Sequence, residues 1–370
     1  SVTAMGGDCS GFGYPTSPDA AMYAQRKYVT KARKPKLDSH RFEKILDRFA
    51  QVRLAVVGDV ILDEYLVGDA ERVSPEAPVP VVHVQSESVV LGGAGNVVRN
   101  LVALGVDCEF ASVVGKDLDG DRVIELLQEL GVPTSGVIRG EDRHTTRKTR
   151  VVARGQQIVR VDRESHAPVT SAISRRLLQT MQSSFPRVGG VILEDYGKGL
   201  FVPASIRKLI AACVAAKVAV SVDPKSELRA YKGATLMKPN LREAEQLAGI
   251  RASETGGLDP IAKKLRKAFG DGDLVITRGG NGMTLFEGSD AGRVVATIGQ
   301  EVFDVQGAGD TTIAILATAR AAGATLLEAA IFANAGASVV VEQAGTATAS
   351  RAQIAARLPQ AIEAARKGWQ

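Results

Sequence analysis

From Leu37 to Ala50 the apolar residues fall at Phe42, Ile45, Leu46 and Phe49, which places them on one helical face. Arg53–Gly58 (RLAVVG) is a short apolar run closed by glycine, the pattern of a strand buried on both sides. Residues 63–90 are more polar and β-rich, and the prolines at 75, 78 and 80 predict edge strands there. Residues 96–105 and 120–130 read as helices around a strand at 108–114. Residues 145–162 alternate as two strands about Arg154-Gly155-Gln156, a hairpin. Strands at 190–193, 218–223, 235–238 and 274–277 then alternate with helices at 171–184, 203–216, 240–248 and 258–269. A second hairpin-like pair, 282–287 and 293–297, precedes a run of helices from Asp310 to Gly368. Strands alternating with helices predict an α/β fold over 37–370, a doubly wound, mostly parallel sheet flanked by helices. The segments 63–90 and 145–162 fall outside that alternation and are expected to form a small separate sheet.

Composition changes this picture little. The net charge of +5 is mostly local, because residues 1–36 carry six Lys or Arg against two Asp. The rest of the chain is nearly neutral, which gives no reason to expect nucleic acid as a partner. Residues 1–36, Gly- and Ser-rich and then basic, are expected to be a disordered or tag-like extension. No apolar run approaches the roughly 20 residues of a membrane helix, and no secretory pattern opens the chain. Three scattered cysteines and four scattered histidines show no metal-type spacing. Free thiols in a reduced, cytoplasmic compartment are expected.

Four stretches could carry chemistry. In Asp304-Val305-Gln306-Gly307-Ala308-Gly309-Asp310-Thr311, small residues leave backbone N–H groups open to an anion, and the helix that follows adds its positive end. Phosphoryl transfer needs such a cradle, and Asp310 at its mouth could take the proton of an acceptor hydroxyl. A helix-capping Asp after a Gly-rich loop fits the same residues. Gly92-Gly93-Ala94-Gly95-Asn96 opens a helix where small residues would admit a polyhydroxylated ligand beside Asn96, yet it lacks dinucleotide spacing. Asn240 and Glu243 share a helical face that suits hydrated Mg²⁺, and they equally form a capping box. Thr277-Arg278-Gly279-Gly280-Asn281-Gly282 is either a nucleotide-supporting turn or a plain tight turn. No Walker A sequence is present.

Together, in this order, these pieces resemble the ribokinase-like (PfkB) carbohydrate kinases over roughly residues 53–350. The resemblance implies a sugar kinase using ATP and Mg²⁺, with Asp310 as catalytic base and Gly307, Ala308 and Gly309 as its anion hole. It turns Asn240 and Glu243 towards Mg²⁺, through water. It places nucleotide contacts on Thr277, Gly279, Gly282 and Asn334, and substrate hydroxyls against Asp59, Gly92, Gly93 and Asn96. The small sheet becomes a lid and a homodimer interface, and in some members Asp304 helps hold a monovalent cation. Members commonly carry Thr before Gly-Ala-Gly-Asp, where this chain has Gln306.

The segments Gly58–Tyr65, Arg72–Val81, Leu91–Asn96, Thr146–Arg150 and Asp195–Gly199 resemble, more narrowly, the D-glycero-β-D-manno-heptose-7-phosphate kinases. That resemblance implies phosphorylation of O1, towards ADP-heptose and lipopolysaccharide. Some relatives fuse a nucleotidyltransferase with an H-x-G-H signature, absent from this sequence, so a kinase alone is expected. Lys148 and Arg150, two apart on a strand and so on one face, and Lys198 in a Gly-flanked loop are the candidates to hold the substrate's own phosphate, with Asp195 beside them. A solvated charged strand is the alternative.

Overall fold

A computed structural model describes residues 37–367, apart from Ser226, Ala344 and residues 289–290 and 299–303. The expectation for residues 1–36 lies outside the described residues.

Helix α1 (Ser39–Arg48) starts at Asp38, whose side chain accepts the His40 N–H, and it buries Phe42, Ile45 and Leu46 as the spacing requires. The chain continues through β1 (Arg53–Gly58), β2 (Val60–Val73), β3 (Pro80–Gly93), α2 (Ala94–Ala103), β4 (Asp107–Gly115), α3 (Leu118–Glu129), β5 (Val137–Gly140), β6 (Arg147–Ala153) and β7 (Gln156–Arg163). Next come α4 (Ser171–Ser184), β8 (Gly190–Glu194), α5 (Pro203–Ala215), β9 (Ala219–Asp223), β10 (Leu236–Met237), α6 (Leu241–Ala248), the single turn α7 (Ala252–Thr255) and α8 (Asp259–Phe269). The last elements are β11 (Asp273–Thr277), β12 (Met283–Phe286), β13 (Arg293–Val295), α9 (Ala308–Ala321), α10 (Leu326–Val340) and α11 (Arg351–Lys367).

The main sheet has nine strands in the order β13-β12-β11-β10-β9-β8-β1-β4-β5. Pairing is parallel from β11 to β5, while β12 and β13 add antiparallel at one edge. Alternation along β1 shows why it reads as a continuous apolar run. Leu54 and Val56 join one core layer, with α1, α2, α9, α10 and α11, and Ala55 and Val57 join the other, with α4, α5, α6 and α8. The four-residue β5 was missed in the sequence, being a short edge strand behind the turn-like Gly131-Val132-Pro133.

The two β-rich excursions do form a second sheet, in the order β3-β2-β6-β7. Pro80 pairs with Val73 at the end of β3, an edge strand, as the prolines required. Strands β6 and β7 make the expected hairpin; Arg154 (φ 52°) and Gly155 (φ 77°) both take the left-handed conformation that suits a tight hairpin. The parallel pairing of β6 with β2 has no local signal and comes from tertiary structure. Only Asp59 separates β1 from β2, so the small sheet grows directly from the C-terminal edge of the large one.

Candidate active site

Strands β1, β8, β9 and β11 end at Gly58, Glu194, Asp223 and Thr277, along the edge of a parallel sheet where ligands bind. Helix α9 begins at the same edge. Its N-cap, Gly307, has φ 75°, and a Cβ there would lie 2.7 Å from Asn96 Nδ2. A side chain at Gly309 would approach Lys238 Nζ at 3.5 Å. Glycine therefore keeps the cradle open on both sides.

Asp310 sits in the first turn of α9 and is buried. Tyr196 donates its hydroxyl to Asp310 Oδ1 at 2.5 Å, and Asn96 Nδ2 donates to Oδ2 at 2.8 Å. Arg99 holds Asn96 by donating to Asn96 Oδ1 at 3.1 Å and to the Thr346 carbonyl at 2.8 Å. Burial pushes the Asp310 carboxyl above its ordinary range, against the hydrogen bonds from Tyr196 and Asn96. Two motifs 214 residues apart, around Asn96 and around Asp310, thus meet at one carboxylate.

Asp59, expected against substrate hydroxyls, has another occupation. Its Oδ2 accepts the backbone N–H groups of Tyr196 (3.0 Å) and Lys198 (3.1 Å), and its Oδ1 accepts that of Leu200 (3.2 Å). Burial lifts its pKa to about 6. Asp195 likewise accepts the Gly197 N–H at 3.0 Å and the Tyr231 hydroxyl at 2.7 Å. Both carboxylates shape the 195–200 loop from beneath. The carboxylate that faces Gly92 is Asp63; a Cβ on Gly92 would collide with its Oδ2, so only glycine fits there. Gly93 opens α2 with φ 57°. Asp63 lies within Gly58–Tyr65, where residue type does not set it apart from Asp59. The available signal was its period-2 relation to Tyr65, matching Lys148 and Arg150 on the neighbouring strand.

Asn240 and Glu243 form the capping box: Asn240 Oδ1 accepts the Glu243 N–H at 2.9 Å, and Glu243 Oε2 accepts the Asn240 N–H at 3.0 Å. Beside them Lys238, 2% exposed, pairs with Asp223 at 2.6 Å. Burial lowers the Lys238 pKa, but Asp223 and Glu194 outweigh it and keep the ammonium charged. Glu194 is fully buried with both carboxyl oxygens lacking a hydrogen-bond partner, and burial holds its pKa well above the usual range. Lys238, Asp223, Glu194 and Tyr196 went unselected in the sequence, because their importance rests on contacts between different strand ends. Thr277 ends β11 and pairs with Asn240. At Gly282 (φ 75°) a side chain would strike the Val295 carbonyl, and Asn334 Nδ2 donates to the next carbonyl, Ala296, at 2.8 Å. Thr277, Gly282 and Asn334 are thereby gathered at one end of the sheet. Gly279 (φ 55°) has open space where a side chain would be.

The three cations Lys148, Arg150 and Lys198 do not stand free. Lys198 Nζ lies 2.6 Å from Glu164 and Lys148 Nζ 3.8 Å from the same carboxylate oxygen. Lys148 also lies 3.3 Å from Asp162. Arg150 pairs with Asp63 at 2.7 Å and covers the Tyr65 ring at 5.3 Å from its centroid. Lys148 and Lys198 therefore converge, while Arg150 turns to Asp63 and Tyr65. Among the described residues, no three His, Cys, Asp or Glu side chains form a metal cage, and no helix is long and apolar enough to cross a membrane.

Known proteins share this architecture. The Arabidopsis thaliana ribokinase complexed with ribose and ATP superposes with a TM-score of 0.66 at 20% identity, covering 83% of this chain and 98% of that one. Escherichia coli phosphofructokinase-2 in complex with potassium gives 0.69 at 21% identity, covering 84% and 99%. In sequence, the bifunctional protein HldE of Pelobacter propionicus is 44% identical over 319 residues, and that of Trichlorobacter lovleyi 40% over 321. Each match takes in 86% of this chain and 65% of the relative, so the chain spans a little under two thirds of their length. The model of the pfkB family carbohydrate kinases matches residues 52–353. A ribokinase-like sheet and a family match over most of the chain make one statement: this chain belongs to the pfkB family of carbohydrate kinases, phosphotransferases acting on a sugar hydroxyl.

Proposed function

We propose that the chain transfers the γ-phosphoryl group of ATP to O1 of D-glycero-β-D-manno-heptose 7-phosphate, giving the 1,7-bisphosphate and ADP for ADP-heptose and lipopolysaccharide synthesis. The observation carrying this reading is the buried Asp310 in the first turn after the Gly307–Gly309 cradle, together with Lys148 and Lys198 converging on Glu164. The acceptor oxygen attacks the γ-phosphorus, the bond to the ADP oxygen breaks, and the acceptor proton passes to Asp310. Asn96 and Tyr196 hold Asp310 in place. The backbone N–H groups of residues 307–309 and the start of α9 stabilise charge on the moving phosphoryl group. Asp63, beside Gly92, and Asn96, bonded to Asp310, are the side chains we assign to sugar hydroxyls. Asp59 and Asp195 contribute by holding the loop that carries Tyr196 and Lys198.

A Mg²⁺ site fits the oxygen donors at hand: Asp223 at the end of β9 and Glu243 in the first turn of α6 lie near the orphaned Glu194 carboxyl. When bound there, Mg²⁺ neutralises phosphate charge. Lys238, its ammonium held charged beside Gly309, adds a cation on the protein's own account. The resemblance attaches a monovalent cation to the Asp304 loop, where Asp304 already accepts the N–H groups of Gln306 (2.9 Å) and Gly345 (3.0 Å).

A second reading has its own support. Each of Lys148, Arg150 and Lys198 already has a carboxylate partner, which fits a sugar without a phosphate. ADP release measured with heptose 7-phosphate, unphosphorylated heptose and hexose phosphates separates the two. The first reading expects a preference for heptose 7-phosphate of about two orders of magnitude, the scale of losing strong charge-assisted contacts. Equal use of unphosphorylated heptose overturns it.

A further inference from the structure

Gln306 is the residue at which this chain departs from the usual Thr before Gly-Ala-Gly-Asp, and the structure shows what its length reaches. Its side-chain oxygen accepts the hydroxyl of Tyr65 at 3.1 Å, across 241 residues of sequence. Tyr65 lies on β2, in the small sheet, and Gln306 immediately precedes the left-handed Gly307 that opens the cradle. The bond therefore joins the lid directly to the anion-binding loop.

Both partners are held from behind. Asp304 accepts the Gln306 N–H with one oxygen and the Gly345 N–H with the other, which ties the cradle loop to the 345–346 turn. The Tyr65 ring lies against that turn, since a Cβ on Gly345 would be 3.6 Å from its Cζ and hydroxyl. On the lid side the Arg150 guanidinium covers the ring and pairs with Asp63, which faces Gly92 in the acceptor pocket. A continuous row thus runs Asp63, Arg150, Tyr65, Gln306, Gly307. Thr at 306 is shorter by a methylene and a carbonyl, too short to span to a tyrosine on another sheet.

We propose that Gln306 and Tyr65 form a latch that holds the lid against the cradle before substrate arrives; this rests on the reading of 307–310 as the phosphoryl-transfer site. The latch is a positioning device and touches no reacting atom. Its benefit falls on the acceptor. With the latch made, the lid already stands over the pocket. With it broken, part of the acceptor's binding energy goes into closing the lid, and apparent affinity drops by the fraction of closed molecules. Turnover from the closed complex stays the same.

Tyr65→Phe removes the donor and keeps the ring under Arg150. Gln306→Met removes the acceptor at similar length. Each is expected to raise the acceptor KM about three- to tenfold, the scale of one neutral hydrogen bond, with kcat within about twofold of wild type. Tyr65→Phe also loses the hydroxyl's contact with Thr346, so it is expected to be the more severe single and the double variant to match it. Hydrogen exchange of the β2 and β6 amides should quicken in each single variant at an unchanged melting temperature. The acceptor is heptose 7-phosphate, or whichever sugar wild type uses best. Multiplied effects in the double variant, a loss confined to kcat, or singles indistinguishable from wild type each overturn the latch. Asp310→Asn run alongside isolates the underlying reading: turnover retained there removes the site itself, whereas turnover lost there with normal latch variants removes the latch alone.

Discussion

Asp310 shows how little of a side chain's chemistry belongs to the side chain. Burial disfavours its charge, and two donors, Tyr196 and Asn96, offset only part of that. A general base works ionised, so kcat/KM should rise with pH through a value above the ordinary carboxylate range. Tyr196→Phe deletes a donor that favours the ionised form. The acid limb of its pH profile should therefore move to higher pH, and a limb that stays in place would show that Tyr196 leaves the base untouched. Asp310→Asn should lose about 10²–10⁴-fold in kcat with nucleotide binding retained, checked by turnover and by titration with a non-hydrolysable ATP analogue. Asp59 carries a different expectation. Its two oxygens hold three backbone N–H groups of the 195–200 loop, and Asp59→Ala leaves all three without that partner. At about 1 kcal/mol or more each, the loss should exceed about 3 kcal/mol in denaturant unfolding.

At the scale of elements, the lid strands carry the question of substrate. Strand alternation places Asp63 and Tyr65 of β2 in register with Lys148 and Arg150 of β6, so one face of the small sheet presents two cations and a carboxylate. Glu164, just past β7, gathers Lys148 and Lys198, the first from the lid and the second from a loop of the large sheet. A substrate phosphate would compete with that carboxylate for the same two ammonium groups. Lys198→Ala should lower kcat/KM for heptose 7-phosphate by about two orders of magnitude while MgATP affinity changes little. An equal loss with the unphosphorylated sugar would show that Lys198 braces the loop and grips nothing.

On the scale of the whole molecule, the small sheet is exposed at both edges. Its outer strands are β3 and β7, and Val73, Val79, Val159 and Val161 on or beside its strands are 65%, 51%, 47% and 57% exposed. Open edges and scattered valines on a lid that cannot bury itself against the main sheet suit a second copy of the chain. We expect a homodimer through the lid, read by light scattering at micromolar concentration. Val161→Asp should shift it to monomer, and a wild-type monomer under those conditions would end the proposal.

Much of this was legible in residue order, for a physical reason. Regular α/β alternation, the hairpin at 147–163 and the proline that opens β3 are local: period, turn conformation and a missing N–H act within a few residues, and the structure reproduces them. The Gly-Ala-Gly-Asp cradle is local too, because backbone groups at a helix start need only small neighbours. What the sequence could not decide was pairing at a distance. Asp59 and Asp63 are four residues apart and chemically identical, yet one faces backbone N–H groups and the other faces Gly92 and the Arg150 guanidinium. That choice depends on which neighbouring strand and loop each side chain meets, β6 for Asp63 and the 195–200 loop for Asp59. The same holds for Glu194, Asp223 and Lys238, ordinary polar residues at three separate strand ends until parallel pairing sets them side by side, and for Gln306, whose length matters only because tertiary structure brings Tyr65 within its reach.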